Sequence, residues 1–314
     1  MNLPADFISN IQNVFEEDGY AFLEALPDLI AEASERWGLT DVQPAPNLSY
    51  NFVAFANRGD DEVVLKMGVP NSEMESELAA LRLFNGDGAC RLIDSDEEKY
   101  WMLLERLQPG VMLSTLEDDE EATHIAAEVM QRIWRPLESS GKPRAHEQAP
   151  ALQKFIQLSD WFDGLKKLRS MFNGGTGPLN EKIVERVEHA VREFFAENHQ
   201  PVLMHGDFHH FNILSSERGW LVIDPKGVIG PAGYEVGPFL MNPWGDFLSR
   251  NNYRLITKRR IDILHERLGF ERERIHGWGL AHAVLSTWWG IEDNTGWDYS
   301  LAFAEMIADL SLAS

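Results

Sequence analysis

Two short motifs constrain the fold of this chain more than any other part of the sequence. The first runs from residue 205 to residue 214 and reads HGDFHHFNIL, and the second runs from 222 to 227 and reads VIDPKG. Asp224 follows Asn212 by twelve positions. An amide oxygen and a carboxylate are ligands that Mg²⁺ favours, and another carboxylate can take the proton of an attacking hydroxyl. The motifs therefore predict a phosphoryl-transfer centre, with Asp207 as proton acceptor and Asn212 and Asp224 as metal ligands.

Apolar runs beside these motifs predict short buried strands that bring both acids to one cleft. Residues 201–204 and 220–223 are the predicted strands, and the polar stretch 215–219 is the predicted turn between them. The step of five positions from Asp207 to Asn212, with a second acid further on, resembles the catalytic loop of protein kinases.

A lysine and a glutamate upstream supply the other parts that such a centre requires. Residues 61–67 are a strand-like run that contains Lys66, and Ser72 is the predicted N-cap of the helix that follows. Glu73 and Glu77 lie one turn apart on this helix. In a kinase the lysine holds the α and β phosphates and a glutamate fixes the lysine. Either acid could serve as that partner.

The pattern His-Gly-Asp-x-His-x-x-Asn at residues 205–212 resembles that of the aminoglycoside phosphotransferase family. Residues 224–227, 103–110 and 37–39 are similar to the streptomycin 6-kinase and hydroxyurea phosphotransferase branch of that family. The resemblance implies an α+β, two-lobed, protein-kinase-like fold.

The same resemblance implies where the lobes divide. Residues 1–107 are expected to form a small, mainly β, nucleotide-binding lobe with extra N-terminal helices. Residues 108–314 are expected to form a larger helical lobe that carries the catalytic loop and the substrate pocket. From Tyr253 onward the sequence predicts helices with breaks at Gly269, Gly277 and Gly290.

Roles for further residues follow from the resemblance alone. The family pattern Glu-x-x-Ala-Leu favours Glu77 as the partner of Lys66. Glu105, Arg106 and Leu107 are expected in the hinge that holds adenine. The nucleotide loop has no glycine, and Ser49 is expected to donate a hydrogen bond to phosphate in its place. The implied cofactors are ATP and Mg²⁺.

Aromatic and acidic residues near the C-terminus predict a pocket for a cationic, hydroxylated acceptor. Trp288 offers an indole face, and Glu292, Asp293 and Asp298 offer carboxylates. Carboxylates form charge-assisted hydrogen bonds with ammonium and guanidinium groups, and indole faces attract cations. Tryptophans at this spacing are also common in protein cores. The resemblance points to an aminoglycoside such as streptomycin, or to a hydroxyurea-like antibiotic.

The balance of charge excludes some partners. The chain has 28 basic and 50 acidic residues, a net charge of −22, which repels polyanions such as nucleic acid. It has a single cysteine, Cys90, no basic, apolar N-terminal signal and no membrane-spanning run of apolar residues. We expect a cytoplasmic protein without a membrane partner. The sequence does not predict its oligomeric state.

Three alternatives stay open at this stage. His205, Asp207, His209 and His210 could form a zinc site, since histidines and an acid are zinc ligands. Another small-molecule kinase of the same superfamily, acting on choline, homoserine, a fructosamine or a sugar, would share the catalytic residues. A nucleotide-binding protein without activity would keep the same fold.

Overall fold

The computed structural model describes residues 3–137, 155–197, 200–245 and 247–312. Within these ranges the chain has an N-terminal helix, a five-stranded antiparallel sheet and a mainly helical C-terminal part. This architecture confirms the predicted α+β fold class, with helical residues ahead of a mainly β part.

The N-terminal helix α1, Ala5–Trp37, is sharply kinked. Glu16 has φ 46° and ψ −123°, outside the helical region. The two halves of the helix pack closely on either side of the kink. A Cβ added at Gly19 would lie 2.3 Å from the backbone oxygen of Ile11. The helix ends at Gly38, whose left-handed φ of 66° lets its N–H donate to Ser34 O.

The five-stranded sheet holds Lys66 on the face opposite α1. Its strands are β1 Leu39–Pro44, β2 Phe52–Arg58, β3 Asp61–Met67, β4 Leu92–Asp96 and β5 Trp101–Glu105, in the order β1-β2-β3-β5-β4. Val63 and Leu65 pack in one buried cluster with α1. Because side chains alternate along a strand, Val64 and Lys66 face the other side. There α2, Ser72–Phe84, packs against the sheet.

The helix α2 begins one residue earlier than the sequence predicts. The side chain of Asn71 accepts hydrogen bonds from the backbone N–H of Glu73 at 2.8 Å and of Met74 at 3.0 Å. Asn71 is therefore the N-cap, and the predicted cap, Ser72, is the first helical residue.

The remaining strands form two small sheets within the described residues. They are β6 Pro109–Met112, β7 Arg135–Pro136, β8 Ile156–Gln157, β9 Val202–Met204, β10 Ile213–Ser216, β11 Gly219–Val222 and β12 Val228–Gly230. One sheet has the order β11-β10-β6 and the other β7-β9-β12-β8. The predicted turn at 215–219 is shorter than expected, because its ends belong to strands. The hairpin partner of β11 is β10, whereas β9 pairs with β12.

The C-terminal part is built from helices. They are α3 Asp119–Ile133, α4 Leu158–Met171, α5 Glu181–Ala196, α6 Val236–Met241, α7 Tyr253–Leu268, α8 Arg272–Glu292 and α9 Asp298–Ala308. No helix among the described residues is long and apolar enough to cross a membrane.

Two of the three glycine breaks predicted after Tyr253 are wrong. Gly277 and Gly290 lie inside α8, where each allows close packing. A Cβ added at Gly277 would lie 2.7 Å from the Phe194 ring, and one at Gly290 would lie 2.7 Å from Cβ of Trp297. Gly269, with φ 74°, does end α7.

Backbone hydrogen bonds join the two parts of the molecule. The N–H of Cys90 donates to Val222 O at 2.9 Å, and the N–H of Val222 donates to Gly88 O at 2.9 Å. The first sheet ends at Glu105, and β6 already pairs with β10. The lobe boundary at Leu107 lies between these strands and stays a prediction.

Candidate active site

The first motif is held by a buried carboxyl group that lies outside both motifs, and burial raises the pKa of this group to about 8. Glu235 is fully buried, and its two oxygens accept hydrogen bonds from the backbone N–H of His205 at 2.9 Å and of Gly206 at 2.8 Å. Gly206 has φ 87°, and a Cβ there would lie 2.3 Å from a methyl group of Val228. The start of the motif therefore requires both a glycine and an internal acceptor.

His205 fixes the loop through both ring nitrogens. Nε2 lies 2.9 Å from Ile223 O, and Nδ1 accepts the backbone N–H of Asp207 at 3.1 Å. Since Nδ1 accepts, the proton of the neutral ring is on Nε2 and is donated to the carbonyl. Burial lowers the pKa of His205 to about 4, so the ring is neutral at pH 7. This ring joins the second motif to the first.

Asp207 is an ionised carboxylate beside a histidine. Its side chain is 38% exposed, and its Oδ1 lies 3.6 Å from Nε2 of His209. Desolvation acts to raise the pKa of Asp207, but His209, Lys226 and His205 together outweigh it and hold that pKa well below its ordinary value. A charged carboxylate at this position can accept the proton of a hydroxyl.

Asn212 is tied to the same loop by its amide nitrogen. Nδ2 donates to the backbone oxygen of Asp207 at 3.0 Å and lies 3.3 Å from Nε2 of His209. Because the nitrogen makes these contacts, the amide oxygen is available as a metal ligand. The N–H of Ile223 also donates to Asn212 O at 3.0 Å, which keeps this residue near the second motif.

Lys66, Glu77 and Asp224 form a compact charged cluster. Nζ of Lys66 lies 2.6 Å from each carboxylate oxygen of Glu77 and also contacts Oδ1 of Asp224. Desolvation acts to lower the pKa of Lys66, but the two acids outweigh it and raise that pKa. Desolvation acts to raise the pKa of Asp224, yet Lys66 lowers that pKa to about 2. Lys66 and Asp224 are therefore charged at neutral pH, whereas burial raises the pKa of Glu77 to about 7 against the opposing effect of Lys66.

A second cation lies close to the acids, on the segment after Asp224. Nζ of Lys226 forms an ion pair with Glu73 at 2.9 Å, and its backbone N–H donates to His205 O at 2.8 Å. Gly227 follows with φ 68°, where a Cβ would lie 2.6 Å from Ser76 O. The hydroxyl of Ser76 donates to Gly227 O at 2.7 Å. Helix α2 therefore packs directly on the second motif.

The predicted hinge residues have different surroundings. The Glu105 carboxylate forms an ion pair with Arg218, and Arg106 pairs with Glu62 at 2.7 Å. Leu107 is buried, and its N–H has no hydrogen-bond partner among the described residues. That N–H is available to an adenine ring.

The glycine-free loop joins β1 to β2. Ser49 is exposed in this loop and is not among the described residues that line the cavity beside Asp207, whereas Tyr50 and Asn51 are. A Cβ at Gly68 would lie 2.2 Å from Oδ1 of Asn51. Gly68, the glycine that makes room for Asn51, therefore lies directly after β3 and not in the loop itself.

A cavity of 730 Å³ opens beside Asp207. The carboxylates among its described lining residues are Glu73, Glu77, Asp207 and Asp293, and the lining lysine is Lys226. Its aromatic lining includes Trp161 and Trp289, whose rings meet edge to face at 5.1 Å. Cavities of this size, with a few polar groups among apolar ones, are typical of small-molecule sites.

Of the four predicted acceptor residues, one lines this cavity. Asp293 does, and desolvation raises its pKa. Glu292 instead pairs with Lys167 at 3.0 Å, and Asp298 is exposed in the first turn of α9. Neither belongs to the described lining.

The prediction for Trp288 needs a correction by one position. Trp288 is only 1% exposed and packs in the core, where a Cβ at Gly164 would lie 2.8 Å from its Nε1. Successive helical residues point about 100° apart, so Trp289 lines the cavity in its place.

The histidines of the first motif do not form a metal cluster. Among the residues that the structure describes, no group of three His, Cys, Asp or Glu side chains could hold a metal ion. His210 stacks on Phe239 at 4.3 Å, and burial lowers its pKa well below the ordinary value. The zinc alternative has no support from this geometry.

The donor set near Asp207 fits Mg²⁺ bound together with a nucleotide. Asn212 offers an amide oxygen and Asp224 a carboxylate, and both are hard oxygen donors. Mg²⁺ keeps several waters and takes phosphate oxygens, so two protein ligands suffice. Bound there, the ion would neutralise charge on the phosphates.

Comparison with known proteins identifies the family. Residues 36–294 match the family described as aminoglycoside/hydroxyurea antibiotic resistance kinase. The chain belongs to this family. It is 32% identical over 279 residues to streptomycin 6-kinase of Streptomyces griseus, covering 88% of this chain and 87% of that protein. It is 30% identical over 299 residues to hydroxyurea phosphotransferase of Kitasatospora aureofaciens, covering 93% and 81%.

Solved structures agree on the fold of this aminoglycoside/hydroxyurea kinase. A thermostable mutant of aminoglycoside phosphotransferase APH(4)-Ia, in a ternary complex with ADP and hygromycin B, matches with TM-score 0.57 and 15% identity, over 90% of this chain and 99% of that one. Choline kinase LicA of Streptococcus pneumoniae matches with TM-score 0.60 and 13% identity, over 90% and 97%. The family match and the curated relatives, and not these structures, show that the chain is a small-molecule kinase that uses an alcohol group as acceptor.

Proposed function

We propose that the protein transfers the γ-phosphoryl group of ATP to a hydroxyl of a cationic aminoglycoside, with streptomycin as the model acceptor. One observation carries the proposal. The ionised Asp207 borders a cavity rich in carboxylates, and the Lys66, Glu77 and Asp224 cluster lies at the same cleft.

Asp207 is the group proposed to receive the proton. As the acceptor oxygen bonds to the γ-phosphorus, the bond from that phosphorus to the β,γ-bridging oxygen breaks and ADP leaves. The proton of the hydroxyl passes to Asp207, whose low pKa keeps it ready as a base or an orienting acceptor. Asn212 and Asp224 are the proposed ligands of Mg²⁺.

Lys66 is proposed to hold the α and β phosphates. Its ammonium is kept charged and in place by Glu77 from α2. The contact between Lys66 and Asp224 is the one that phosphate oxygens and the metal would replace, because both residues then gain partners of opposite charge. The hinge residues 105–107 and Ser49 remain proposals for binding adenine and phosphate.

The acceptor is proposed to be cationic because of the charge that surrounds the cavity. Asp293 and Glu73 lie at the wall, and an acid beside aromatic rings suits ammonium and guanidinium groups. Relatives named for streptomycin and for hydroxyurea show that acceptors of very different size occur in the family. Streptomycin fits the charge of this cavity better than neutral hydroxyurea does.

The test is a panel of acceptors with labelled ATP and Mg²⁺. Streptomycin, hygromycin B, hydroxyurea, choline and a fructosamine are each incubated with the parent protein and with Asp207→Asn, and transfer of label is measured. We expect the parent protein to phosphorylate streptomycin and the Asp207→Asn variant not to do so. If label were transferred to choline only, the acceptor class would be choline and not an aminoglycoside. ATP binding without transfer to any compound would favour an inactive nucleotide-binding protein.

A further inference from the structure

The N-terminal helix reaches the cavity beside Asp207. Val14 and Phe15, which immediately precede the kink at Glu16, are among the lining residues. Both lie before residue 36, where the match to the kinase family begins. The family match therefore does not include these two residues.

This part of α1 is held firmly in place. Phe7 and Ile11 are fully buried in the cluster that includes the five-stranded sheet, and Phe15 packs against that cluster. Gly19 allows the second half of α1 to contact the backbone of Ile11. The kink thus positions Val14 and Phe15 at the cavity as part of the folded core.

Exposed apolar side chains converge on the same opening. Val14 is 39% exposed, Tyr50 is 40% exposed and Trp244 is 67% exposed, and all three line the cavity. They come from α1, from the loop before β2 and from the segment after α6. Exposed apolar residues that gather around a concave site indicate contact with a ligand.

A second part of the lining has a different chemistry. Trp161 and Trp289 meet edge to face, His282 lies 6.2 Å from Trp289 between ring centres, and Asp293 contributes a carboxylate. A ligand suited to both zones carries cationic groups and also ring faces whose C–H groups can pack against apolar side chains. It must also be long enough to extend from Asp207 to the opening.

We propose that Val14 and Phe15 form a specificity-determining wall, which selects a multi-ring cationic acceptor over a molecule as small as hydroxyurea. The inference rests on the proposed function and deepens it. A small acceptor would occupy only the space beside Asp207, whereas a chain of linked rings would pack against the α1 wall as well. Binding energy at such a remote contact positions the reacting hydroxyl.

The experiment enlarges the side chain in the wall. Val14→Trp is compared with Tyr20→Trp, a matched control on the same helix, since Tyr20 is 59% exposed and outside the described lining. We expect Val14→Trp to lower kcat/KM for streptomycin by about tenfold or more. The KM for ATP and the kcat/KM for hydroxyurea should stay within about twofold of the parent values, as should all parameters of the control.

A second measurement needs no turnover. The native cysteine, Cys90, is 1% exposed and burial raises its pKa to about 12, so a cysteine placed at residue 14 or 20 can be alkylated selectively. Bound streptomycin should slow alkylation of Val14→Cys and leave alkylation of Tyr20→Cys unchanged.

The outcomes separate the two proposals. If streptomycin is phosphorylated but Val14→Trp behaves like the parent protein, the inference is overturned and the proposed function stands. If no compound is phosphorylated but streptomycin protects Val14→Cys, the wall is supported and the proposed function fails. If streptomycin is neither phosphorylated nor protective, the inference fails together with the proposed acceptor.

Discussion

Both carboxylate oxygens of Glu77 lie 2.6 Å from the ammonium of Lys66. The side chain of Glu77 is only 6% exposed and that of Lys66 only 5%. A buried ion pair with one partner removed leaves an uncompensated charge. Here Asp224 still contacts Lys66, so the loss should be partly offset.

Replacing Glu77 should therefore affect both stability and nucleotide binding. We expect Glu77→Ala to lower the free energy of unfolding by about 3 kcal/mol and to raise the KM for ATP. Glu32→Ala is the control, because it removes the exposed partner of Lys99 and should cost less than about 1 kcal/mol. Urea unfolding and ADP release are the measurements. Equal losses in the two variants would contradict the assignment of Lys66.

Removing the charge of Asp207 should affect chemistry and not folding. We expect Asp207→Asn to reduce kcat by about 10²- to 10⁴-fold, the usual contribution of a general base. The melting temperature and the KM for ATP should change little, since the Asp207 side chain is 38% exposed. Asp163→Asn, at an exposed acid on α4, is the control. A kcat within twofold of the parent value would exclude a role for Asp207 in proton transfer.

Loss of the Glu235 carboxylate should disorder the catalytic loop. Glu235→Ala leaves the buried N–H groups of His205 and Gly206 without acceptors, which costs about 1–3 kcal/mol for each group. We expect faster amide hydrogen exchange in residues 205–212 and a lower kcat. Exchange measured by mass spectrometry would refute this if protection of the loop did not change.

The buried histidines should make the fold sensitive to acid. The pKa of His205 and that of His282 are each lowered to about 4 by burial, while an unfolded histidine titrates near 6.5. The unfolded chain therefore binds more protons between pH 6.5 and 4. The contribution of these two rings to stability should be complete above about pH 6.5 and should fall as pH drops through this window, by on the order of 3 kcal/mol per histidine. Burial raises the pKa of Glu77 to about 7 and that of Glu235 to about 8, and these two groups contribute in the opposite sense.

Urea unfolding between pH 7.5 and 4.5 measures this dependence. The variant His282→Gln should show a shallower loss than the parent, because the proton that this ring takes up on unfolding is then absent. His189→Gln should not differ from the parent, since His189 is 67% exposed. A parallel pH dependence in the parent and in His282→Gln would show that this ring does not resist protonation.

Gly227 should tolerate no side chain, although Gly59, which is also left-handed, should. Gly227 and Gly59 have φ values of 68° and 62°, so an alanine pays the same conformational cost at each. Only at Gly227 would the new Cβ meet a neighbour, Ser76 O at 2.6 Å. We expect Gly59→Ala to cost about 1 kcal/mol and Gly227→Ala to cost clearly more and to reduce kcat. Thermal unfolding of both variants tests the difference.

The polar residues that the structure brings to this cleft could be picked out from the sequence because they lie in short motifs. Asp207, Asn212 and Asp224 follow from spacing within one stretch of chain, and Lys66 follows from a strand with a single cation at its end. The structure places Lys66 against Asp224, a contact that spans 158 positions. A family pattern, and not spacing, selected Glu77 over Glu73.

Residues whose role depends on tertiary packing were not predictable in this way. Trp288 and Trp289 are adjacent, and only the packing of α8 on α4 decides which of them faces the cavity. Val14 reaches the cavity because of the kink at Glu16, which no sequence motif predicts. For Glu235 a signal was present: it is the single charged residue between 228 and 241.

The backbone bonds between Gly88, Cys90 and Val222 also bear on the catalytic cycle. They join the β part to the helical part through main-chain groups. Lys66–Asp224 and Lys226–Glu73, in contrast, are side-chain ion pairs whose partners can be replaced by phosphate or water. Main-chain pairing is the more persistent of the two. Opening of the cleft for nucleotide exchange should therefore be a rotation about the line through residues 88–90 and 222. Product release would then widen the entrance while the part of the cleft next to residues 88–90 and 222 stays nearly unchanged.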